Sequence, residues 1–195
     1  MKKLVFALFL ALQAPAYSPN EIVNAIAAVA QNEGVKPEIL YTIVKIESDF
    51  EPYTISFLTN KANADYFASL RNQNIRIKTS NYSLNSSKWV VTIIPANEIY
   101  AVQIAKYLYE DGFSIDVGLG QLNAVNFSQN EIDYIFNPMY NLTKCAKILR
   151  KCWNAKNKNI KDTIECYNYG MRKRYSNPYY KRFYEHYEKF FGKPY

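Results

Sequence analysis

The sequence predicts a mainly helical α+β domain in which a small β-hairpin wing interrupts a series of amphipathic helices. Apolar residues recur at helical spacing in segments that begin at a capping residue or a proline, which is typical of helices with one buried face. One stretch near the middle instead alternates apolar and polar residues, as a half-buried strand does. The 195 residues are 49% apolar and 21% charged, which suits a domain with a core and excludes a disordered chain.

The first two helices have clear boundaries. Ser18-Pro19-Asn20-Glu21 is a capping box with proline at the first helical position, and Gly34 ends this helix. Pro37 opens a second helix, which ends before Pro52. Both segments carry aliphatic residues at helical spacing, so both are expected to bury one face.

The middle of the chain predicts the β-wing. Residues 54–73 give no clear pattern and predict a loop with a short helix around residues 66–70. Residues 75–78 alternate, residues 81–87 form a polar turn, and residues 89–94 are rich in β-branched side chains. The two runs and the turn between them predict a β-hairpin.

The remaining helices follow capping residues. Asn97 caps a helix that Gly112 closes, and Ser128 with Glu131 forms a capping box for a short helix that ends before Pro138. Further helices are predicted to begin at Asn141, near Ile160 and at Asn177-Pro178.

The chain is expected to comprise a leader and one domain. Two lysines, an apolar run and a small-residue cleavage site make residues 1–16 a predicted secretory signal peptide. The apolar run is too short to span a bilayer, so no membrane span is expected after cleavage. No linker or repeat divides residues 17–195, which are expected to form a single domain with an unrecognised wing segment at about 59–95.

Export would place the three cysteines, Cys145, Cys152 and Cys166, in an oxidising compartment. Three cysteines allow one intramolecular bridge and leave one thiol over. If two antiparallel helices meet near residues 154–159, Cys145 falls opposite Cys166, which predicts a Cys145–Cys166 bridge. Three buried, reduced cysteines are the alternative.

Charge and composition narrow the class of partner. The net charge of +7 favours an anionic partner, and an aromatic content of 16% suits a surface that stacks on sugars, bases or another protein. The single histidine, His186, argues against a histidine-rich metal site and against a serine–histidine relay. The sequence implies no metal and no nucleotide cofactor.

Glu47 is the first candidate for chemistry because of its position on the second helix. Spacings of three and four residues put it in line with Leu40, Ile43 and Val44, so the carboxyl continues the apolar stripe. A carboxyl held against apolar side chains resists ionisation and can act as a proton donor near neutral pH. The alternative is a solvated glutamate at a frayed helix end.

Two other segments could line a site. Residues 118–123, Gly-Leu-Gly-Gln-Leu-Asn, allow close backbone approach and offer the Gln121 amide to a sugar hydroxyl or amide. Residues 167–170, Tyr-Asn-Tyr-Gly, form a polar and aromatic helix end. Taken singly, each is also compatible with an ordinary glycine turn or an ordinary helix terminus.

In this order and spacing, the three segments resemble the lysozyme-like lytic transglycosylase domain of the soluble lytic transglycosylase superfamily. The resemblance covers about residues 20–185. Residues 109–149 are most similar to the branch that serves type IV secretion systems, in which a helix ending in glycine precedes an Ile-Asp-Val-Gly-Leu-Gly-Gln segment.

The resemblance implies a lysozyme-like fold, a periplasmic location, peptidoglycan glycan strands as substrate and type IV secretion components as possible partners of a monomeric enzyme. It implies that Glu47 is the catalytic acid/base and that Tyr167 orients its carboxylate. The implied supporting and substrate-binding residues are Ser48, Gly118, Leu119, Gln121, Asn123 and Asn168. Tyr169 departs from the family pattern, which usually has a small residue there.

The supply of carboxylates separates two reactions. Hydrolytic glycosidases normally use two carboxylates, and lysozymes take the second from the β-wing. No aspartate or glutamate lies between Asp65 and Glu98, so the hairpin supplies none and Asp116 is the residual candidate. A lone acid favours transglycosylation, which cleaves the bond between N-acetylmuramic acid and N-acetylglucosamine and closes a 1,6-anhydro ring; lysozyme-type hydrolysis is the alternative.

Two rival classes of protein also fit parts of the sequence. A non-catalytic peptidoglycan-binding assembly module would keep the aromatic and basic surface but would need no acid on the apolar stripe. An exported nucleic-acid-binding protein is suggested by the net charge and by Arg172-Lys173-Arg174, although such runs are commonly solvated faces. Cell-wall polymers are themselves anionic, so the charge does not discriminate between the two kinds of partner, and salt-sensitive retention on DNA would. With the resemblance to cell-wall enzymes, we expect no nucleic-acid partner.

Overall fold

A computed structural model describes residues 17–172 and 176–193 of the protein. These residues form seven α-helices and a five-stranded antiparallel sheet. The mainly helical α+β class with a small β-wing is therefore confirmed. The predicted signal peptide, most of the 172–174 basic run and the last two residues lie outside the described part of the chain.

The two N-terminal helices lie where the sequence predicts them. Helix α1 spans Pro19–Glu33, and its Ser18 cap accepts the backbone N–H of Glu21 at 3.3 Å. Helix α2 spans Pro37–Glu47. Asp49 and Phe50 follow it with positive φ angles of 53° and 63°. The chain thus turns sharply two residues after Glu47, which leaves that residue at the end of the helix.

The sheet is larger than the predicted hairpin. Its strands, in the spatial order β2-β3-β1-β4-β5, are β1 (Ile55–Thr59), β2 (Ile75–Asn81), β3 (Trp89–Pro95), β4 (Ile115–Val117) and β5 (Leu122–Asn123). The hairpin β2–β3 is confirmed. Residues 54–73 contain strand β1 and helix α3 (Lys61–Ser69), where the sequence predicted a loop and a shorter helix. Strand β1 pairs with both β3 and β4, so pairing partners distant in sequence fix it.

Four further helices complete the fold: α4 (Glu98–Glu110), α5 (Pro138–Ala155), α6 (Ile160–Tyr169) and α7 (Pro178–Phe191). The prediction that Asn141 caps a helix is wrong. Asn137 is the cap of α5 and accepts the N–H of Tyr140 at 3.1 Å. Asn141 is fully buried in the first turn of this helix, and its side-chain amide contacts the 118–121 turn and not the helix start.

The disulfide joins Cys152 to Cys166, with their Cα atoms 5.7 Å apart, and Cys145 is a buried free cysteine. The predicted Cys145–Cys166 bridge is therefore wrong. Helices α5 and α6 run back from the turn between them, and Cys166 lies six residues into α6 while Cys152 lies three residues from the end of α5. Cys145 lies seven residues before Cys152 on the same helix, about two helical turns further along the axis, and its Sγ packs against Gly120 instead.

Two clusters of buried side chains hold the helices together. The larger one joins one face of the sheet to α1, α4 and α5. The smaller one packs α2 against α5, α6 and α7 around Ile43, Ile164, Tyr179, Phe183 and Tyr187. Glu47 ends α2 beside this smaller cluster, opposite the first turn of α7. Among the described residues no helix has the length and apolar content needed to cross a membrane.

Candidate active site

Glu47 lies between an apolar helix face and the first turn of α7. Leu40, Ile43 and Val44 on the same helix are completely buried. The hydroxyl of Tyr179 donates a hydrogen bond to Oε1 of Glu47, across 132 residues of sequence. The side chain of Asn168, at the end of α6, lies near enough to favour the charged form of this carboxyl. Three helices therefore meet at one acid.

The surroundings of Glu47 raise its pKa to about 7, and burial is the largest cause. The hydrogen bond from Tyr179, the charge of Arg182 and the side chain of Asn168 act in the opposite direction, whereas the charge of Asp116 adds to the rise. Near neutral pH the group is divided between its protonated and ionised forms, as an acid that later acts as a base requires.

The 118–121 segment is a tight turn that packs against α5. Gly118 has a φ of 77°, and its N–H donates to the carbonyl of Thr54 at 2.8 Å. Gln121 has a φ of 46°, and its N–H closes the turn on the carbonyl of Gly118 at 3.2 Å. The turn is therefore anchored to the residue that precedes strand β1.

Asn141 and Cys145 of α5 fill the space behind this turn. The amide of Asn141 accepts the N–H of Gly120 at 3.0 Å and donates to the carbonyl of Val117 at 3.1 Å. A Cβ atom at Gly118 would lie 2.2 Å from Nδ2 of Asn141, and one at Gly120 would lie 2.1 Å from Sγ of Cys145. Both glycines are thus required by close packing. Sequence reasoning missed the role of Asn141, because an asparagine near a helix start also indicates a cap.

Gln121 and Leu119 occupy different environments within the turn. The Gln121 amide nitrogen donates to the carbonyls of Gly118 and Thr54 at 3.0 and 3.2 Å, and its side chain is partly exposed. Leu119 is completely buried, so it supports the turn from below. Of the two, the side chain of Gln121 is the one that a ligand can reach.

Tyr167 and Ser48 contact the backbone around the site. The Tyr167 hydroxyl donates to the carbonyl of Gly120 at 2.8 Å and so ties α6 to the glycine turn. The hydrogen bond to the carboxyl of Glu47 comes instead from Tyr179, which the sequence analysis did not single out. Ser48 is buried, and its hydroxyl donates to the carbonyl of Val44 at 3.2 Å, at the end of α2.

Asp116 brings a second carboxyl near Glu47. It is partly buried on β4, and burial raises its pKa to about 6. Nδ2 of Asn123 donates to its Oδ1 at 2.8 Å, which acts in the opposite direction on the pKa. Asn123 also accepts the N–H of Val125 at 3.2 Å, so it caps the turn that follows β5. Sequence reasoning missed Tyr179 and Arg182 because only the folded packing of α7 brings them to Glu47.

No metal site accompanies these residues within the described part of the chain, where no three His, Cys, Asp or Glu side chains are grouped to hold an ion. His186 lies on α7 with its ring stacked against Phe190.

A half-buried glutamic acid at a helix end, together with a glycine turn beside a small antiparallel sheet, defines a lysozyme-like class of glycan-cleaving protein. The family model of the transglycosylase SLT domain matches residues 24–188, and the chain belongs to this family. Membership places it among the lytic transglycosylases that act on peptidoglycan. Searches of curated proteins and of solved structures found no match.

Proposed function

We propose that this protein cleaves peptidoglycan by transglycosylation with Glu47 as its single catalytic acid and base. The observation that carries the proposal is the position of the Glu47 carboxyl, which continues a fully buried apolar helix face and accepts a hydrogen bond from Tyr179. A group with a pKa of about 7 can donate a proton and recover one within the same turnover at neutral pH.

In the first step Glu47 donates its proton to the oxygen that joins N-acetylmuramic acid to N-acetylglucosamine, and the bond from that oxygen to C1 breaks. The acetamide of the muramoyl residue stabilises the cationic C1 from within the substrate. Tyr179 and Arg182 stabilise the carboxylate that remains on Glu47, because both favour its charged form.

In the second step the carboxylate of Glu47 takes the proton of the 6-hydroxyl of the same sugar. The oxygen of that hydroxyl then bonds to C1 and closes the 1,6-anhydro ring, so no water is consumed. Glu47 ends the cycle protonated, as it began. General acid–base assistance of this kind contributes about 10²–10⁴ to the rate.

The test is product analysis of purified peptidoglycan with the wild type and the Glu47→Gln variant. We expect anhydro-muropeptides from the wild type in mass spectrometry and none from Glu47→Gln, with the far-UV circular dichroism unchanged. Glu38→Gln, on the first turn of the same helix, is the matched control and should retain activity. Binding to cell walls without cleavage by the wild type would instead indicate a non-catalytic assembly module.

Lysozyme-type hydrolysis is the second candidate reaction, and Asp116 is the observation that favours it. Its carboxyl is close enough for its charge to raise the pKa of Glu47. A hydrolase needs such a partner as a nucleophile or base, with the carboxyls about 5–9.5 Å apart. Products with reducing ends, together with loss of cleavage in Asp116→Asn, would establish hydrolysis in place of ring closure.

We also infer that the protein acts in the periplasm and opens the cell wall locally for a secretion or conjugation apparatus. The 1–16 leader and the peptidoglycan substrate of the family support export. The resemblance of residues 109–149 to the type IV secretion branch supports the role in secretion. If this role is correct, a strain whose only copy of the protein carries Glu47→Gln should secrete or conjugate the cargo of that apparatus less efficiently than the wild-type strain.

A further inference from the structure

The sheet has one covered face and one open face. Ile55 and Phe57 of β1 are buried in the core, whereas Ser56 is partly buried and Leu58 is exposed. Strand β2 alternates in the same way, with Ile75 and Ile77 buried. Because successive side chains of a strand point to opposite faces, the remaining residues form an open surface.

The strand register aligns one polar residue from every strand on this open face. Residues paired directly in antiparallel strands lie on the same face of the sheet, and each of the four pairings joins a polar residue to the next. This polar row consists of Asn123, Asp116, Ser56, Thr92 and Lys78, in that spatial order. Residues far apart in the sequence thus form one continuous line.

The polar row is held in place by contacts among its own members. Nδ2 of Asn123 lies 2.8 Å from Oδ1 of Asp116, and the hydroxyls of Ser56 and Thr92 are 3.2 Å apart. Four of the five side chains are partly buried, and Lys78 at the outer strand is exposed. A strand spacing of about 4.8 Å makes the row about 19 Å long, which is the length of a short oligosaccharide.

The polar row begins beside the 118–121 turn, which Asp116 and Asn123 flank in the chain, and it is bordered by apolar and concave surface. Asp116 is the row member whose charge acts on Glu47. Leu58 and Val90 lie on the same face to one side, where they can cover the C–H face of a sugar ring. On the other side, Arg76 and Ile94 line a cavity of about 440 Å³. Hydroxyls and amides beside apolar surface match the mixed chemistry of a carbohydrate.

We propose that the polar row binds the glycan strand as it approaches Glu47, and that Lys78 at its far end contacts a carboxylate of the peptide stems. This inference rests on the proposed function and extends it, since it names the surface and the form of substrate that the enzyme holds. Arg76, the other cation on this part of β2, is already paired with Glu51. An exposed ion pair adds little affinity, so Lys78 contributes a preference for stem-bearing strands over bare glycan.

The first test replaces the hydroxyl of Thr92 without changing the shape of the side chain. Thr92→Val should raise KM for long glycan strands several-fold and leave kcat unchanged, because the lost contact is made equally in the ground state and the transition state. Thr79→Val is the matched control, since Thr79 pairs with Val91 on the covered face. Ser56→Ala removes the partner hydroxyl and should behave like Thr92→Val.

The second test concerns the peptide stems. Initial rates are measured on stem-bearing strands and on strands whose stems an amidase has removed. Lys78→Gln should reduce the preference for stem-bearing strands about three-fold or more, while Lys88→Gln, in the hairpin turn, should leave it unchanged. If the wild type and Lys78→Gln prefer stem-bearing strands equally, the role of Lys78 is overturned. If Thr92→Val and Ser56→Ala both keep the wild-type KM for long glycan strands, the polar row is overturned as a binding surface.

A binding measurement separates these outcomes from failure of the proposed function. Co-sedimentation of Glu47→Gln with insoluble peptidoglycan does not depend on catalysis. If the wild type cleaves no glycan but Thr92→Val weakens binding in the Glu47→Gln background, the row stands and the proposed reaction fails. If cleavage is normal and binding is insensitive to Thr92→Val and Ser56→Ala, the reaction stands and the row fails.

Discussion

The protonation of Glu47 is set by neighbours that oppose one another. Burial and the charge of Asp116 raise its pKa, whereas Tyr179, Arg182 and Asn168 favour the carboxylate. Burial without these partners would keep the carboxyl protonated and unable to act as a base. Exposure to water would leave it ionised at neutral pH and unable to act as an acid. The balance between them suits the two roles, acid and then base, that we propose for Glu47.

Asp116→Asn and Tyr179→Phe should shift the pH dependence of cleavage in opposite directions. With Glu47 as the proposed catalytic acid, only its protonated form can start cleavage, so kcat/KM should fall as the pH rises through about 7. Asp116→Asn removes a repelling charge and lowers the pKa of Glu47, which moves this alkaline limb to lower pH. Tyr179→Phe removes a hydrogen bond to the carboxylate and raises the pKa, which moves the limb to higher pH.

The measurement is kcat/KM against pH for the three proteins on the same glycan preparation. Tyr107→Phe is a suitable control, because it removes a tyrosine hydroxyl from α4 and should leave the limb in place. Shifts of both variants in the same direction would contradict the assignment of the limb to Glu47.

The first turn of α7 is capped by a carboxyl group from the neighbouring helix α6. Glu165 of α6 is only 5% exposed, and its Oε1 accepts the N–H of Tyr180 at 2.8 Å. Asn177 occupies the cap position of α7 but forms no side-chain cap hydrogen bond. A carboxylate at a helix N-terminus also interacts favourably with the helix dipole. Glu165 therefore fixes the turn from which Tyr179 reaches Glu47.

Glu165→Ala should destabilise the protein by about 1–2 kcal/mol through loss of this cap. It should also move the alkaline limb of kcat/KM to higher pH. Tyr179 is then less firmly held against Glu47, so its hydrogen bond lowers the pKa of that carboxyl less. Glu165→Gln keeps an accepting oxygen, so its stability and its alkaline limb should lie between those of the wild type and Glu165→Ala. Asn177→Ala should change neither quantity appreciably, because Asn177 forms no side-chain cap hydrogen bond. Urea unfolding gives the first quantity and the pH profile gives the second.

A comparison in the Tyr179→Phe background distinguishes positioning from a purely structural role. There the loss of stability on Glu165→Ala should remain, but the further shift of the pH limb should disappear. A shift that persists without the Tyr179 hydroxyl would show that Glu165 acts on Glu47 by another route.

Local sequence signals predicted those elements that local interactions determine. The capping box at Ser18, the prolines that open helices and the alternation in the hairpin each define an element within a few residues. Strands β1, β4 and β5 have two to five residues each, too few to show a period, and only pairing across the sheet defines them.

The candidate site divides in the same way. Glu47 could be predicted because its helix alone puts it on an apolar stripe. The role of Tyr179 could not be predicted, because its hydrogen bond to Glu47 spans 132 residues and depends on how α7 packs on α6. The polar row could not be predicted either, since it depends on the register of four strand pairings.

The Cys152–Cys166 bridge connects the packing of the helices to the site. It ties α5, which supports the glycine turn through Asn141, to α6, which carries Glu165, Tyr167 and Asn168. Its two cysteines are 14 residues apart, and closing a loop of that length stabilises a protein by about 3 kcal/mol in the chain-entropy model. Reduction should therefore weaken both the fold and the site.

We expect Cys152→Ala to lower the free energy of unfolding by about 2–4 kcal/mol and to abolish the effect of reducing agents on stability. Cys145→Ser keeps the bridge and is the matched control, whose stability should still fall on reduction. Alkylation provides the independent measurement: the folded, unreduced protein should expose no reactive thiol, because Cys145 is buried, and the denatured, unreduced protein should expose one. A tryptic peptide joining Cys145 to Cys166, or three reactive thiols after denaturation without reductant, would contradict the pairing and remove its link between the two helices.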